Sequence, residues 1–204
     1  MLARIIKSRR LKRVVDIGIA AAGLTVSSPI VAAAALAIRV SMGSPVLFVQ
    51  ERPGLHGRPF KLRKFRTMRD EPQGAPDGER LTRLGLLLRT TSIDELPTLL
   101  NVLHGDMSLV GPRPLLTRYL DRYSDRQARR HEVPPGLTGL AQVRGRNSLT
   151  WEQKFDLDIW YVDNWSLLLD ARILVETAWS VLMRHGISAA GHATMPEFLG
   201  NDHA

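Results

Sequence analysis

The chain has 204 residues, a net charge of +8 and no cysteine. This length corresponds to about one domain with a buried core, and a hydrophobic content of 44% excludes a disordered protein. Without cysteine there is no disulfide framework, thiol nucleophile or thiolate metal site. The positive charge indicates an anionic partner, which could be nucleic acid, phospholipid or a phosphorylated substrate.

The N-terminal segment predicts an association with a membrane. Residues 1–13 are basic and without acidic side chains, and residues 14–38 form a nearly continuous apolar run. As a helix this run measures about 37 Å, enough to cross a hydrocarbon core of about 30 Å. Three interpretations remain open: a cleaved signal peptide, a single spanning anchor and a re-entrant hairpin. The run is longer than the roughly 7–15 apolar residues typical of a signal peptide.

The hairpin is favoured by Pro29, which follows Ser28 in the middle of the run and removes a main-chain donor. It is also favoured by Lys and Arg on both flanks, because an excess of these residues marks the cytoplasmic side. We therefore predict a re-entrant helix–break–helix at Ser28 and Pro29 within residues 1–40, and a cytoplasmic catalytic domain at 41–204. A helix that spans the membrane with a kink at Pro29 remains the alternative.

After this segment, the pattern predicts a mostly helical α+β fold with short strands. The predicted strands lie at 46–52 and 59–66, with a turn between them, and short strand and loop structure lies at 137–149. The predicted helices lie at 80–89, 93–103, 115–131, 151–163 and 167–185. Residues 107–110 are predicted to be an apolar link. The apolar face of 167–185, with Trp179 and basic flanks, suits a membrane-interfacial helix, although a face packed on the core fits equally well.

Two adjacent carboxylates, Asp94 and Glu95, permit two interpretations. Ser92 and Glu95 have the S-x-x-E spacing of a capping box, in which case these residues only begin a helix. Alternatively, Asp94 is a nucleophile or a magnesium ligand, since an aspartate can attack phosphorus and magnesium prefers carboxylate oxygens.

Basic residues near glycine and proline are candidates for phosphate binding: Lys64, Arg89, Arg113 and Arg146. Arg113 lies between two prolines, which hold its backbone extended, and a guanidinium fork fits phosphate oxygens. For any one of them, a solvated or ion-paired arginine is the alternative. Asp158 is four residues from Lys154 and suits a helical ion pair. The sequence contains neither of the common glycine-rich phosphate-binding loops.

Several long motifs together resemble one known family. They are KFRTM at 64–68, SIDELPTLLNVLHGDMSLVGPRPLL at 92–116, PPGLTGLAQVRGRN at 134–147 and KFDLDIWYVDN at 154–164. These motifs are similar to those of the bacterial sugar transferase family. The short length resembles its small monotopic phosphoglycosyl transferases, of the PglC type that acts in protein glycosylation, and this likeness continues into 185–198.

The resemblance implies a function. Such enzymes move a phospho-sugar from a UDP-sugar to polyprenyl (undecaprenyl) phosphate and release UMP, at the cytoplasmic face of the bacterial inner membrane, with Mg²⁺. It implies that Asp94 is the nucleophile and a metal ligand, with Glu95 as its partner, and that Ser28 and Pro29 form the membrane helix break. Substrate-binding or active-site positions of the family fall on Lys64, Arg113, Arg146 and Asp158. Thr98 departs from the family, which commonly has glutamine there.

The similarity at the C-terminus favours UDP-N,N′-diacetylbacillosamine or another UDP-acetamido sugar as the donor. Two alternatives compete with this interpretation. One is a membrane-tethered basic module that binds anionic lipid or RNA without catalysis, and it is based on the net charge of +8 and the basic N-terminal segment. The other is an enzyme of the same chemistry whose N-terminal helix crosses the membrane.

Overall fold

The computed structural model describes residues 8–69, 80–145, 148–182 and 197–200. The helices are α1 Arg9–Met42, α2 Arg83–Thr90, α3 Leu99–His104, α4 Asp125–Ala128, α5 Leu140–Arg144, α6 Trp151–Asn164 and α7 Leu167–Leu182. The strands are β1 Leu47–Pro53, β2 Pro59–Phe65, β3 Ser108–Val110 and β4 Gly136–Thr138. Short 3₁₀ helices lie at Leu55–Gly57, Ile93–Thr98, Thr117–Arg122 and Arg129–Glu132. This confirms the predicted mostly helical α+β fold.

Helix α1 is continuous over 34 residues and about 51 Å, and within the described ranges it alone is long and apolar enough to cross a membrane. Pro29 lies inside it. Because Pro29 has no N–H, the carbonyl of Thr25 loses its usual helical donor, and the hydroxyl of Ser28 donates to that oxygen at 2.8 Å. The predicted non-helical break is therefore not observed, and the hydroxyl of Ser28 compensates for the missing donor.

The first turns of α1 are tied to the rest of the protein by buried polar contacts. Lys12 donates to Asp170 at 2.6 Å and to the carbonyl of Val110 at 3.1 Å. The carboxylate of Asp16 accepts hydrogen bonds from the hydroxyl of Ser108 and the N–H of Leu109. The C-terminal end of α1 is held as well, because Arg66 donates to the carbonyls of residues 42–44. Both ends of the helix thus bind the same domain.

Two small sheets support the loops that carry polar residues. The two strands predicted at 46–52 and 59–66 are confirmed as β1 and β2, which form an antiparallel hairpin that pairs Leu47 with Phe65 and Pro53 with Pro59. Strands β3 and β4 are parallel and pair Ser108 with Gly136. The side chains of β3 are buried. The main hydrophobic cluster joins β2, α3, β3, α6 and α7 to the first half of α1, through Ala20. A second cluster packs Ala34 and Ile38 of α1 on Phe65 and Leu88.

Four predicted segments are wrong in detail. Residues 137–149, predicted to be short strand and loop, contain helix α5 Leu140–Arg144 after the end of β4. The single polar helix at 115–131 is absent, because Tyr123 adopts an extended conformation and Ser124 then caps the short helix α4. The predicted link at 107–110 is strand β3. The predicted helix at 93–103 begins as the 3₁₀ turn Ile93–Thr98, which contains Pro97, and becomes α-helical at Leu99. The helices predicted at 151–163 and 167–185 are confirmed as α6 and α7, although residues 183–185 lie outside the described residues.

Helix α7 has two apolar faces. Ile173 is fully buried in the main cluster. Leu168, Val175 and Trp179 are more than half exposed and lie seven and four residues apart, which places them along one stripe. Leu86 and Leu87 of α2 are also exposed, as is the outer face of α1 at Val14, Val26 and Leu36. The surface therefore carries apolar side chains on three helices.

Candidate active site

The structure brings together side chains from three separate segments. Lys64 lies near the end of β2, Glu95 lies in the 3₁₀ helix Ile93–Thr98, and Arg113 lies in the loop after β3. The same oxygen of Glu95, Oε1, accepts a hydrogen bond from Nζ of Lys64 at 2.5 Å and from Nη2 of Arg113 at 2.8 Å. The side chains of Lys64 and Glu95 are about one-fifth exposed. Glu95 therefore joins the strand, the 3₁₀ helix and the loop.

The helix-capping interpretation of Ser92 and Glu95 is wrong. The side chain of Ser92 makes no capping hydrogen bond, and the carboxylate of Glu95 points to the two cations. Ser92 instead has a φ of 57°, in the left-handed region that residues with a Cβ rarely adopt. Such a conformation costs about 1 kcal/mol or more and is found at functional sites. The turn that presents Asp94 and Glu95 is thus held in a strained backbone.

Asp94 differs from Glu95 in its surroundings. Throughout the described part of the chain, no group donates a hydrogen bond to the carboxylate of Asp94. Burial and the adjacent negative charge of Glu95 raise the pKa of Asp94 to about 6, against the opposing charges of Lys64 and Arg89. At neutral pH the carboxylate of Asp94 is therefore ionised for the most part.

Glu95 is the ionised partner of the cations. Burial acts to raise the pKa of Glu95, but the charges and hydrogen bonds of Arg113 and Lys64 outweigh it and hold this pKa well below its usual range. The charge of Glu95 in turn raises the pKa of Arg113. Burial and the nearby Arg113 lower the pKa of Lys64. The cluster therefore contains a permanently charged Glu95 beside a more readily protonated Asp94.

Two buried side chains, Thr98 and Asn101, fix the segment that contains the 3₁₀ helix Ile93–Thr98 to β2. Their role in the site was not predicted from the sequence. The hydroxyl of Thr98 donates to the carbonyl of Arg63 at 2.8 Å. The amide of Asn101 accepts from the N–H of Arg63 at 3.1 Å and donates to the carbonyl of Lys61 at 2.8 Å. These groups occupy the edge of β2 that does not pair with β1, so the two side chains act in place of a third strand.

The loop that contains Arg113 is held from behind by Arg130, a second residue that sequence reasoning missed. Arg130 donates to the carbonyl of Arg113 at 2.7 Å and to Oδ2 of Asp158 at 2.7 and 3.1 Å. The side chains of Arg130 and Asp158 are almost fully buried. Asp158 thus pairs with Arg130, in place of the expected helical pair with Lys154. It contacts the site through Arg130 and the backbone of Arg113.

The other predicted residues lie in different places. Arg89 donates to the hydroxyl of Thr67 at 3.0 Å, and its charge lowers the pKa of Asp94. Ser28 and Pro29 lie in the middle of α1. Arg146 lies outside the described residues, so its predicted role in substrate binding stays a prediction.

A cavity of about 100 Å³ opens beside Glu95 and is lined by side chains of both signs together with apolar groups. Its lining includes Arg52, Leu62, Lys64, Glu95, Met107 and Arg113. Within the described ranges, no three acidic or histidine side chains are grouped as a complete metal site. The unbonded carboxylate of Asp94 nevertheless fits magnesium, which often takes one or two protein carboxylates and completes its coordination with water and substrate phosphates.

Comparisons with known proteins identify the family of the chain. The chain matches the family described as bacterial sugar transferase over residues 7–184. It is 54% identical over 195 residues to the uncharacterized sugar transferase EpsL of Bacillus subtilis, and the match covers 94% of this chain and 96% of that protein.

Two further relatives have more specific names. The UDP-glucose:undecaprenyl-phosphate glucose-1-phosphate transferase of Caulobacter vibrioides is 46% identical over 185 residues, which cover 84% of this chain and 69% of that protein. The undecaprenyl-phosphate galactose phosphotransferase of Salmonella typhimurium is 39% identical over 201 residues, which cover 88% of this chain and 42% of that protein. The family match spans all three segments that meet at Glu95, and the chain is a member of the bacterial sugar transferase family.

Proposed function

We propose that this protein is a phosphoglycosyl transferase that moves a sugar-1-phosphate from a UDP-sugar to undecaprenyl phosphate and releases UMP. The observation that carries the proposal is the free carboxylate of Asp94 beside the Lys64–Glu95–Arg113 cluster. Relatives named for this reaction support it. A non-catalytic module for RNA or anionic lipid has no use for a partly buried carboxylate of raised pKa next to an ordered cation pair.

The reaction proceeds in two displacements at phosphorus. A carboxylate oxygen of Asp94 attacks the sugar-bearing phosphorus of the UDP-sugar, the bond from that phosphorus to the bridging oxygen breaks, and UMP leaves with the electron pair. A phosphate oxygen of undecaprenyl phosphate then attacks the same phosphorus, and the carboxylate of Asp94 leaves. A covalent intermediate lets a soluble donor and a lipid acceptor use one nucleophile in turn.

Arg113 and Lys64 supply the positive charge that this chemistry needs. A guanidinium fork suits the oxygens of a diphosphate, and charge placed in advance near the phosphorus stabilises the transition state. Glu95 holds both cations in position, so that they do not collapse onto Asp94 and neutralise the nucleophile. When magnesium is bound, Asp94 would hold it, and the metal would neutralise part of the diphosphate charge.

The N-terminal helix, which is continuous in the structure, is proposed to bend at Pro29 within the membrane, so that both of its ends lie at the cytoplasmic face of the inner membrane. Support comes from its two ends: Lys12 and Asp16 at the start, and Ile38 near the end, all contact the same domain. A helix that crossed the bilayer would place one of these ends on the far side. The exposed apolar residues of α1, α2 and α7 suit contact with lipid.

The identity of the sugar belongs to the same proposal. The names of the relatives specify glucose or galactose, whereas the C-terminal similarity favours UDP-N,N′-diacetylbacillosamine or another UDP-acetamido sugar. The segment that carries this similarity, 185–198, lies mostly outside the described residues. A panel containing both classes of UDP-sugar, with UMP release as the measurement, distinguishes them.

The decisive experiment mixes the full-length protein in detergent with Mg²⁺ and a UDP-sugar labelled in the sugar, without any lipid acceptor. We expect label to become covalently attached to the protein and UMP to appear in equal amount. Asp94→Asn should acquire no label, whereas Asp163→Asn, a change at an exposed residue of α6, should label normally. Wild-type protein that releases UMP only when undecaprenyl phosphate is present, and carries no label, would overturn the covalent route.

A further inference from the structure

Arg52 lines the active-site cavity and has no anionic partner among the described residues. It lies on β1, and the register of the hairpin pairs it with Phe60. Paired residues of a hairpin point to the same face, and alternate residues along a strand share a face. Phe60, Leu62 and Lys64 therefore lie on one face of β2, and Arg52 and Lys64 project from the same side of the hairpin. Leu62 lies between them, and all three line the cavity beside Glu95. Arg52 therefore belongs to the same recess as the cluster around Glu95.

The guanidinium of Arg52 is only partly satisfied. Its Nη2 donates to the amide oxygen of Gln50 at 2.6 Å. Its Nε is shielded from solvent and has no acceptor among the described residues. A buried donor without an acceptor is costly. Burial and the charge of Arg113 lower the pKa of Arg52 to about 10, so it is still protonated at neutral pH.

The charges around the cavity favour an anion. Arg52, Lys64 and Arg113 contribute three positive charges to its lining, and Glu95 contributes one negative charge. Lys64 and Arg113 are already bound to Glu95, so the uncompensated charge is concentrated at the Arg52 end. We propose that Arg52 binds a phosphate oxygen of the nucleotide in the cavity that it lines together with Lys64, Glu95 and Arg113. This assignment rests on the proposed function, which supplies the nucleotide.

The position of Arg52 in the fold favours the nucleotide over the lipid phosphate. The strand end that bears Arg52 packs on the 3₁₀ helix Thr117–Arg122, where the hydroxyl of Thr117 donates to the carbonyl of Glu51. The 3₁₀ helix that bears Asp94 packs on α1, the helix that we assign to the membrane. A phosphate bound at Arg52 would therefore lie near the 3₁₀ helix Thr117–Arg122, whereas Asp94 lies on a segment that packs on α1.

The test uses the full-length protein in detergent with Arg52→Gln, Arg52→Lys and the control Arg58→Gln, which removes an exposed cation of the same hairpin. UMP binding is measured by calorimetry, and melting temperatures verify folding. We expect Arg52→Gln to weaken UMP binding about tenfold, equivalent to about 1.4 kcal/mol, and Arg52→Lys to restore part of it. The KM for the UDP-sugar should rise about tenfold with kcat changed less than about threefold.

Two results would overturn the assignment. One is UMP binding by Arg52→Gln equal to that of Arg58→Gln. The other is a rise in the KM for undecaprenyl phosphate in place of that for the UDP-sugar, which would place the lipid phosphate at Arg52. Failure of the proposed function has a different signature: the wild type would turn over no UDP-sugar of the panel, while its UMP binding would still depend on Arg52. If Arg52→Gln does not fold, the same comparison is made with Arg52→Lys, which keeps the charge but loses the fork.

Discussion

Arg130 donates a hydrogen bond from Nη2 to the main-chain carbonyl of Arg113 at 2.7 Å. Through this contact, the buried Arg130 positions the loop from which the side chain of Arg113 reaches Glu95. Arg130 is itself fixed by Asp158 and packs its guanidinium against the rings of Tyr123 and Phe155. The position of Arg113 therefore depends on an ion pair that is almost fully buried.

The first prediction concerns Asp158→Asn. Loss of the carboxylate leaves the buried charge of Arg130 without an anion, and breaking a buried pair in this way costs about 3–5 kcal/mol. Denaturant unfolding in detergent should show a loss of this order. The control Asp156→Asn, on the same helix, removes an exposed pair with Arg126 and should change stability by less than about 1 kcal/mol. If Asp158→Asn keeps full stability yet loses turnover, Asp158 contacts the substrate directly, as the family resemblance implies.

The second prediction concerns Glu95→Gln, which keeps the size of the side chain and removes its charge. The negative charge of Glu95 helps to raise the pKa of Asp94 to about 6, so its loss should lower that pKa. The acid limb of kcat/KM for the UDP-sugar should then move to lower pH by about one unit, measured from pH 5 to 8 with saturating Mg²⁺. An unchanged acid limb together with a raised Mg²⁺ requirement would instead identify Glu95 as a metal ligand.

Elements that are marked by a short repeating pattern of apolar residues were predicted well from the sequence. The alternation of β1 and β2 and the helical periodicity of α6 and α7 are local properties, and the structure confirms those elements. The contacts that make the site are not local. Glu95 fits a capping box with Ser92, three residues away, but it binds Lys64 and Arg113, 31 and 18 residues away.

The same limit applies to Asp158. The helical spacing predicts a pair with Lys154, whereas the observed partner is Arg130, 28 residues away. An ion pair buried between segments depends on packing, and no spacing rule predicts such a contact. The family resemblance placed Lys64, Asp94, Glu95 and Arg113 in one site, but it gave no sign of Thr98 or Asn101 as the groups that hold the 3₁₀ helix to β2.

The third prediction concerns Asn101→Leu, which keeps the volume of the side chain but removes its hydrogen bonds. The N–H of Arg63 and the carbonyl of Lys61 then lose their buried partners, at a cost of about 2–4 kcal/mol. Since this edge of β2 positions the 3₁₀ helix, activity should fall as well. Asn164→Leu, at the exposed end of α6, should cost less than about 1 kcal/mol. Equal unfolding midpoints for the two variants would contradict the role assigned to Asn101.

The fourth prediction concerns the topology of α1. The chain has no cysteine, so Ala3→Cys and Arg58→Cys each introduce a single label site. If the helix is re-entrant, an impermeant maleimide should label neither variant in spheroplasts of the bacterium and both after permeabilisation. Replacement of Ser28 and Pro29 by leucine removes the irregularity in mid-helix and should expose position 3 to the outside. External labelling of Ala3→Cys but not of Arg58→Cys in the otherwise native chain would show a spanning helix.

The fifth prediction concerns the stability of Asp94→Asn. The folded protein raises the pKa of Asp94 from 3.8 to about 6, so the folded state binds its proton more tightly than the unfolded chain does. Ionisation of Asp94 therefore lowers the free energy of unfolding. This loss is absent below pH 4, grows as the pH rises and is complete above pH 6. Asparagine is neutral at every pH. Asp94→Asn should be inactive yet more stable than the wild type at pH 7.5, by about 1–3 kcal/mol.

The difference in stability between wild type and Asp94→Asn should shrink as the pH falls and vanish near pH 4, because there the wild-type carboxyl is also neutral. Denaturant unfolding in detergent at pH 4, 6 and 7.5 measures it. The control Asp163→Asn loses an exposed pair with Arg129 and should change stability by less than about 1 kcal/mol at each pH. If Asp94→Asn is instead less stable at pH 7.5, the attraction of Asp94 to Lys64 and Arg89 outweighs its burial, and the nucleophile is stabilised by the fold that holds it.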